Sequence, residues 1–413
     1  MSTISLKATL NREYLSVDRS SIVFLAVEIL PPQSMPDSRG MPTAICLLID
    51  CSGSMKGKKI EYARDAATQL VDRLQPFDYL GMVAFSDGVD IISGFEKISD
   101  LDTTLLKGKI RRMTASGNTE MYRGLEAAYE QILQLSKAAG NFVRRVILLS
   151  DGKPTDKVPA DEYARLAARM RQMGISIFTL GLGKDYNEDL LAGMAESSGG
   201  TWHHVASPAD IPALFGEQID EARTVIRALP NISIHFEADV ELEEIVNALP
   251  VVYPVTNFKW SAPDLSIPVG DIRAGVLQTL ALKLRVPPDN RGSKRLATVR
   301  LQGQPGAECE VVVDYTTDDN LLSRENDVFP RGIFIAAQTQ VRTRVGISGD
   351  ATALKQAEKM RDTIMRDPEL TRIGVVRDAA ENVGETILKA KSGMTKEETK
   401  IAKDGLTQIR RKQ

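Results

Sequence analysis

The sequence predicts an α/β fold: a doubly wound, mostly parallel sheet inserted into a β-sandwich and followed by a C-terminal helical domain. Three observations lead there. From about Ala44 to Ala228, short apolar runs alternate with amphipathic segments, the pattern of repeated βα units with helices on both faces of a sheet. Around Pro230 the pattern becomes alternation with period two, the mark of half-buried strands. Beyond Asp318 the spacing turns helical. The boundaries that follow are residues 1–41 for N-terminal strands plus a linker, 42–228 for the α/β domain, 229–318 for the β-sandwich and 319–413 for the helical domain.

Taken in order, Ile4, Leu6, Ala8 and Leu10 alternate with Ser5, Lys7 and Thr9, and Ser21–Leu30 is rich in Ile, Val and Phe; both read as strands. The prolines and glycine between Pro31 and Pro42 cannot continue a ladder and mark a linker. Strands are expected at residues 44–49, 79–85, 89–93, 145–150, 176–181 and 201–205. Helices are expected at 58–74, 103–112, 121–137, 161–173, 188–197 and 209–227. In the first helix Ile60, Ala63, Ala67, Leu70, Val71 and Leu74 share one stripe. Gly174 stops the fourth, and Ser207 and Pro208 open the last as N-cap and first residue. Strands then recur through Ile232, Ile234 and Phe236, through Leu280, Leu282, Leu284 and Val286, and through Cys309, Val311, Val313 and Tyr315. The two N-terminal strands need partners and are expected to complete this sandwich. In the C-terminal part, Asp350 caps a helix carrying Leu354, Ala357, Arg361 and Ile364, which Asp367-Pro368 ends; residues 373–391 and 396–411 read as two more.

Composition narrows the function classes. Apolar residues make up 43% and charged residues 26%, ordinary for globular protein, so 413 residues suggest two or three domains. A net charge of -3 gives no overall pull toward nucleic acid or an anionic membrane. Three cysteines, Cys46, Cys51 and Cys309, make no disulfide framework and point to a reducing, cytoplasmic setting. No signal-peptide pattern is visible at residues 1–10, and no apolar stretch is long enough to span a bilayer.

The chemistry gathers in three loops. The run 44–49 ends in Asp50-Cys51-Ser52-Gly53-Ser54. One carboxylate and two hydroxyls therefore stand at the carboxyl end of a strand, where open α/β sheets place ligands. These are hard oxygen donors, suited to magnesium, calcium or manganese rather than zinc. A second loop, Ala115-Ser116-Gly117-Asn118-Thr119-Glu120, precedes a helix, and a third, Ser150-Asp151-Gly152, closes a buried strand. Ser and Asp side chains also cap helices and turns, which explains each loop singly but not their convergence.

With these loops the chain resembles the von Willebrand factor A (VWA) family over about residues 42–228, which implies its Rossmann-like α/β domain. Asp50-x-Ser52-x-Ser54, Thr119 in its glycine-containing loop and Asp151 after a buried strand match that family's metal-ion-dependent adhesion site, or MIDAS. The resemblance implies that Ser52, Ser54 and Thr119 bind a cation directly through their hydroxyls. Asp50 and Asp151 would act mostly through bound water, Asp151 binding directly in one state. The cation is expected to be Mg2+, with Ca2+ or Mn2+ as alternatives. Neutral hydroxyls leave much of the ion's charge uncompensated, so an Asp or Glu from a protein partner can replace a water. The resemblance further implies a bacterial, intracellular adaptor or scaffold. A MoxR-type AAA+ ATPase, or a stress or conflict system, is its candidate partner. It also implies that ligand shifts the last helix of the domain, here expected to run into the strands at Pro230. No G-x-x-x-x-G-K-[ST] loop is present in the chain, so nucleotide hydrolysis by that route is not expected.

Two other classes compete. A metal-dependent hydrolase would need a general base, and the loops offer Asp50, Glu120, Asp151 and Asp156. RNA binding like that of Ro-type VWA proteins would use the basic C-terminal stretch, Lys389 to Lys412, although the large helical-repeat domain of those proteins is missing; a solvated helix face is the simpler reading. Cys51 beside a cationic site could be a reactive thiol, but a small filler is the simpler role. His203 and His204 are neighbours on an expected edge strand and point to opposite faces, a poor shared metal site. His235 has no evident partner. Lys56, Lys153 and the loop Ser86-Asp87-Gly88 are expected on the rim of the site.

Overall fold

Every residue of the strand Thr43–Asp50 is buried, because both of its faces pack. Ile45, Leu47 and Ile49 enter one core with Ile60, Ala63, Ala67 and Leu70 of the helix Lys58–Arg73. Cys46 and Leu48 enter a second core with Leu125, Ala128 and Ile132 of the helix Met121–Ser136. A strand covered on both sides loses the polar alternation of a half-buried one, which is why the run reads as continuously apolar. The structure is a computed structural model that describes residues 4–35, 41–136 and 142–407. The chain divides into two compact units.

The α/β unit comprises Met35–Leu229 with Gly270–Arg273. Its six-stranded sheet runs Val89–Lys97, Tyr79–Phe85, Thr43–Asp50, Val143–Ser150, Ile175–Leu182, Trp202–Val205. All neighbours are parallel except the edge strand Val89–Lys97. From Thr43–Asp50 the chain goes first to one side of the sheet and later to the other. The carboxyl end of that strand is therefore the topological switch point, the place where such sheets bind ligands. The helix Ala160–Gln172 ends two positions before Gly174, whose φ of 72° is the left-handed stop expected.

The expectation of one helix over 209–227 is corrected. A 3-10 turn, Pro208–Asp210, leads into a helix Ile211–Arg223, and Val225–Arg227 is a short strand. The reason is a distant partner: Val225–Arg227 pairs antiparallel with Ile272–Arg273. That return segment is fastened further. Arg273 lies 2.5 Å from Glu221, and the Leu229 amide donates to Asp271. Arg145, 1% exposed, reaches Asp271 at 3.0 Å, donates to the Gln218 carbonyl at 2.7 Å and lies 4.4 Å over the Phe178 ring. The carboxylate of Asp271 on one terminal nitrogen and the Gln218 carbonyl on the other offset the cost of burying this charge.

The other unit collects Met1–Ser34, Pro230–Val269 and Ala274–Gln413. Its five-stranded sheet runs Ser5–Leu10, Ser21–Leu30, Gln278–Val286, Glu241–Leu249, Tyr253–Pro254. Its six-stranded sheet runs Lys259–Ser261, Asp264–Pro268, Asn231–Phe236, Gly292–Leu301, Glu308–Thr316, Tyr14–Ser16. The N-terminal strands thus pair with strands far along the chain: Ser21 to Ile29 with Val286 to Gln278, and Tyr14–Ser16, in parallel, with Asp314 to Thr316. Helices follow at Asp319–Leu322, Phe329–Ile347, Ala351–Arg366, Pro368–Arg372, Gly374–Ser392 and Lys396–Gly405. Ile333, Phe334, Ala336 and Ala337 of Phe329–Ile347 pack on Ala26, Val246 and Ala281 of the five-stranded sheet. Asp350 caps Ala351–Arg366 through the Thr352 and Ala353 amides. The helix expected over 396–411 ends at Gly405, and positions 408–413 lie outside the described residues. Lys400 and Lys403 in it are buried while Ile401 is half exposed, so the stretch is not one solvated basic face. Among the described residues no helix is long and apolar enough to cross a membrane.

Candidate metal centre

The five expected residues come from two strand ends, Thr43–Asp50 and Val143–Ser150, and from the connection between the helices Thr103–Arg112 and Met121–Ser136, and backbone hydrogen bonds tie these loops together. The Cys51 amide donates to the Phe85 carbonyl at 2.8 Å, continuing the sheet one residue past Asp50. Ser116 donates to the Cys51 carbonyl and Gly53 to the Gly117 carbonyl, at 2.8 and 2.9 Å. Thr155 donates to the Thr119 carbonyl at 2.9 Å, and the Thr119 amide donates to the Thr155 hydroxyl at 3.0 Å. The loops carrying Ser52, Thr119 and Asp151 therefore form one hydrogen-bonded assembly.

Within it the side chains converge. The hydroxyls of Ser52 and Ser54 are 3.0 Å apart. The Ser54 hydroxyl donates to Asp151 Oδ1 at 2.6 Å. Thr119 joins from the other side: a side-chain carbon on Gly152 would meet Ser54 Oγ and Thr119 Oγ1 at 3.4 Å each. Glycine at that position leaves the space among them open. Asp50 sits beneath, with Oδ1 accepting from the Ser52 amide at 2.8 Å and Oδ2 from the Ser150 hydroxyl at 2.6 Å. Burial raises the Asp50 pKa above the usual carboxylate value; bonds from Ser150 and Ser52 oppose this, and the nearby Asp151 charge adds to it. Asp50, Ser52, Thr119 and Asp151 are buried, and Ser54 is exposed.

The donor set suits a hard divalent ion. It consists of hydroxyl and carboxylate oxygens, the preference of magnesium, calcium and manganese. Among the described residues no three His, Cys, Asp or Glu side chains gather as an alternative metal cluster. A positive group already stands at the cluster: Lys59 Nζ forms an ion pair with Asp151 Oδ2. The residues present therefore fit a cation.

Lys59, Ser150 and Thr155 were missed as site residues. Lys59 carried a signal, since a lysine in the first turn of a helix opposes the macrodipole and implies an acidic partner. Lys56 and Lys153 are exposed. Asp87 of the expected rim loop accepts from the Asn118 amide at 2.9 Å and so braces the Thr119 loop.

The remaining candidates are engaged elsewhere. Asp156 accepts from the Tyr122 amide at 2.8 Å and the Tyr163 hydroxyl at 2.7 Å, and Glu120 pairs with Arg123. Neither is poised as a general base. Cys51 is buried, and desolvation pushes its thiol up to about 12; thiolate, the reactive form, is scarce at neutral pH. His203 meets Thr201 at 3.1 Å, His204 meets Tyr186 at 2.9 Å and His235 meets Asp264 at 2.8 Å. A groove of about 600 Å³ opens beside Cys51, with Val89, Ile91, Lys109, Arg112 and Met113 among its lining.

Comparison with known proteins bears on the fold. The model of the von Willebrand factor type A domain matches residues 44–217. The uncharacterized protein sll0103 of Synechocystis is 26% identical over 342 residues, covering 80% of this chain and 75% of that protein. Human inter-alpha-trypsin inhibitor heavy chain H2 is 25% identical over 209 residues, covering 48% of this chain; the chain spans 21% of that relative's length. Among solved structures, a von Willebrand factor type A protein from Catenulispora acidiphila superposes with a TM-score of 0.78 at 18% identity, covering 99% of this chain and 98% of that one. The ArnB paralog VWA2 from Sulfolobus acidocaldarius gives 0.63 at 18% identity, covering 98% and 97%. The fold therefore extends over nearly the whole chain in both.

Proposed function

Because residues 44–217 are a von Willebrand factor type A domain, we propose that this chain is a divalent-cation-dependent protein-interaction module. In this reading Ser52, Ser54 and Thr119 hold the cation through their hydroxyl oxygens, and Asp50 and Asp151 act mostly through bound water, with Asp151 binding directly in one state. Bound magnesium, or calcium or manganese in its place, would supply positive charge and an exchangeable position that an Asp or Glu carboxylate of a partner fills. The observation that carries the reading is the convergence of the three hydroxyls beside Gly152, one of them on Asp151.

The chain's own residues complete the recognition. Exposed Ser54 faces an incoming carboxylate, and exposed Lys56 and Lys153 add positive potential that favours an acidic partner. The groove beside Cys51 has a mixed lining in which Lys109 and Arg112 stand among Val89, Ile91 and Met113, suited to residues flanking that carboxylate. Ile211–Arg223 is the helix a shift on ligand binding would move, and Gly270–Arg273 is what such a shift would pull on. An adaptor role beside a MoxR-type AAA+ ATPase, in a bacterial cytoplasmic stress or conflict system, is the partner class the family resemblance favours. We also read the two sheets of the other unit as a β-sandwich into which the domain at 42–228 is inserted, with 319–413 as its helical extension.

The test is affinity capture with wild-type protein in magnesium, in chelator, and with Ser52→Ala/Ser54→Ala in magnesium. Partners retained only in the first condition are expected. A set of partners unchanged across all three would contradict a cation-dependent function.

A further inference from the structure

Resting on the reading of Ser52, Ser54, Thr119 and Asp151 as a cation site, we propose that Lys59 is the resident cation of that site. Its ammonium holds the Asp151 carboxylate while no divalent ion is bound, and it leaves that carboxylate when one loads. Loading is then an exchange of positive charges rather than an addition.

The geometry behind this is specific. Lys59 Nζ pairs with Asp151 Oδ2, and the Ser54 hydroxyl donates to Oδ1. The Asp151 side chain is fully buried, while a third of the Lys59 side chain is exposed. A buried carboxylate is costly when uncompensated, and Lys59 is paired with it. Lys59 is also the second residue of the helix Lys58–Arg73, where the macrodipole disfavours positive charge. Its placement there is offset by the pair with Asp151. An ammonium and a divalent ion on one carboxylate repel each other, strongly where water is scarce. The long, flexible stem and partial exposure of Lys59 let the ammonium withdraw into solvent.

The exchange has a direction that can be measured. Lys59→Met removes the competitor, so magnesium titrated into the metal-free variant should bind about tenfold or more tighter than to wild type. Metal-free Lys59→Met should melt below metal-free wild type, and saturating magnesium should close the gap. Lys59→Arg keeps the charge and should stay close to wild-type affinity. A measurement on wild-type protein avoids any folding defect of the variants: acetylation of Lys59, followed by mass spectrometry, should rise several-fold on adding saturating magnesium, with exposed Lys56 unchanged as reference. Equal or weaker magnesium binding by a folded Lys59→Met variant, or Lys59 acetylation indifferent to magnesium, overturns the exchange. Those results differ from failure of the site itself, in which wild type and Ser52→Ala/Ser54→Ala take up magnesium alike or not at all; that outcome overturns both.

Discussion

Gly117 positions Thr119 without supplying any donor. Its φ of 77° lies in the left-handed region, and a side-chain carbon there would stand 2.0 Å from Asp87 Oδ2. Gly117→Ala is therefore expected to lower stability by about 1–3 kcal/mol and to weaken cation binding about tenfold or more, as a loss of support for ligands does. Denaturant unfolding and magnesium titration measure the two effects; a variant equal to wild type in both would show that the loop tolerates the change. The candidate oxygen donors Asp50, Ser52, Ser54, Thr119 and Asp151 were legible because each stands at the end of an apolar run or the start of a helix. Lys59 and Ser150 were not read as site residues. Lys59 meets Asp151 across 92 positions and Ser150 meets Asp50 across 100, and no local periodicity encodes such a pair.

Elements whose patterns are local were read nearly to the residue, and those shaped by distant partners were not. Thr103–Arg112 and Tyr79–Phe85 have the expected bounds. The helix Phe329–Ile347 could not be delimited, because Gln338, Thr339, Gln340 and Thr343 are buried along with its apolar residues and blur the stripe. Thr339 and Thr343 donate to carbonyls four residues back, at 2.6 and 2.7 Å, which satisfies their hydroxyls inside the core. Asp367 ends one helix and caps the next, accepting from the Glu369 and Leu370 amides. Burial acts to raise its pKa, but the Arg331 guanidinium at 3.1 Å and the two amides outweigh this and hold it below the usual value. With a folded value below the unfolded one, its charge contributes stability above the unfolded pKa, and that contribution is lost as pH falls through the folded pKa. Asp367→Asn, which keeps a capping oxygen, should therefore cost about 1 kcal/mol or less at pH 7 and nothing once the wild-type carboxylate is protonated. Thermal melts of both proteins from pH 7 to pH 2.5 check this; a difference that grows toward acid would reverse the sign.

Across the whole molecule, long-range pairing decides what the chain becomes. The strand Ser21–Leu30 finds Gln278–Val286, and the segment Gly270–Arg273 returns to the α/β unit, where Asp271 meets Arg145. Strand identity was readable from alternation, whereas the return of four residues from a strand-rich region carries no sequence pattern. Arg145→Met should cost about 3–5 kcal/mol, since it takes the guanidinium from a largely buried Asp271. Arg145→Met/Asp271→Leu should recover part of that loss; strictly additive losses in the two single variants and the pair would mean the ion pair contributes nothing of its own. The convergence of three loops into one cation site is the central claim, and anomalous diffraction from crystals soaked in manganese tests it most directly. One anomalous peak bounded by the hydroxyls of Ser52, Ser54 and Thr119, and absent from Ser52→Ala/Ser54→Ala crystals, is the predicted result. No peak there at saturating manganese, or a peak that survives the double substitution, would contradict it.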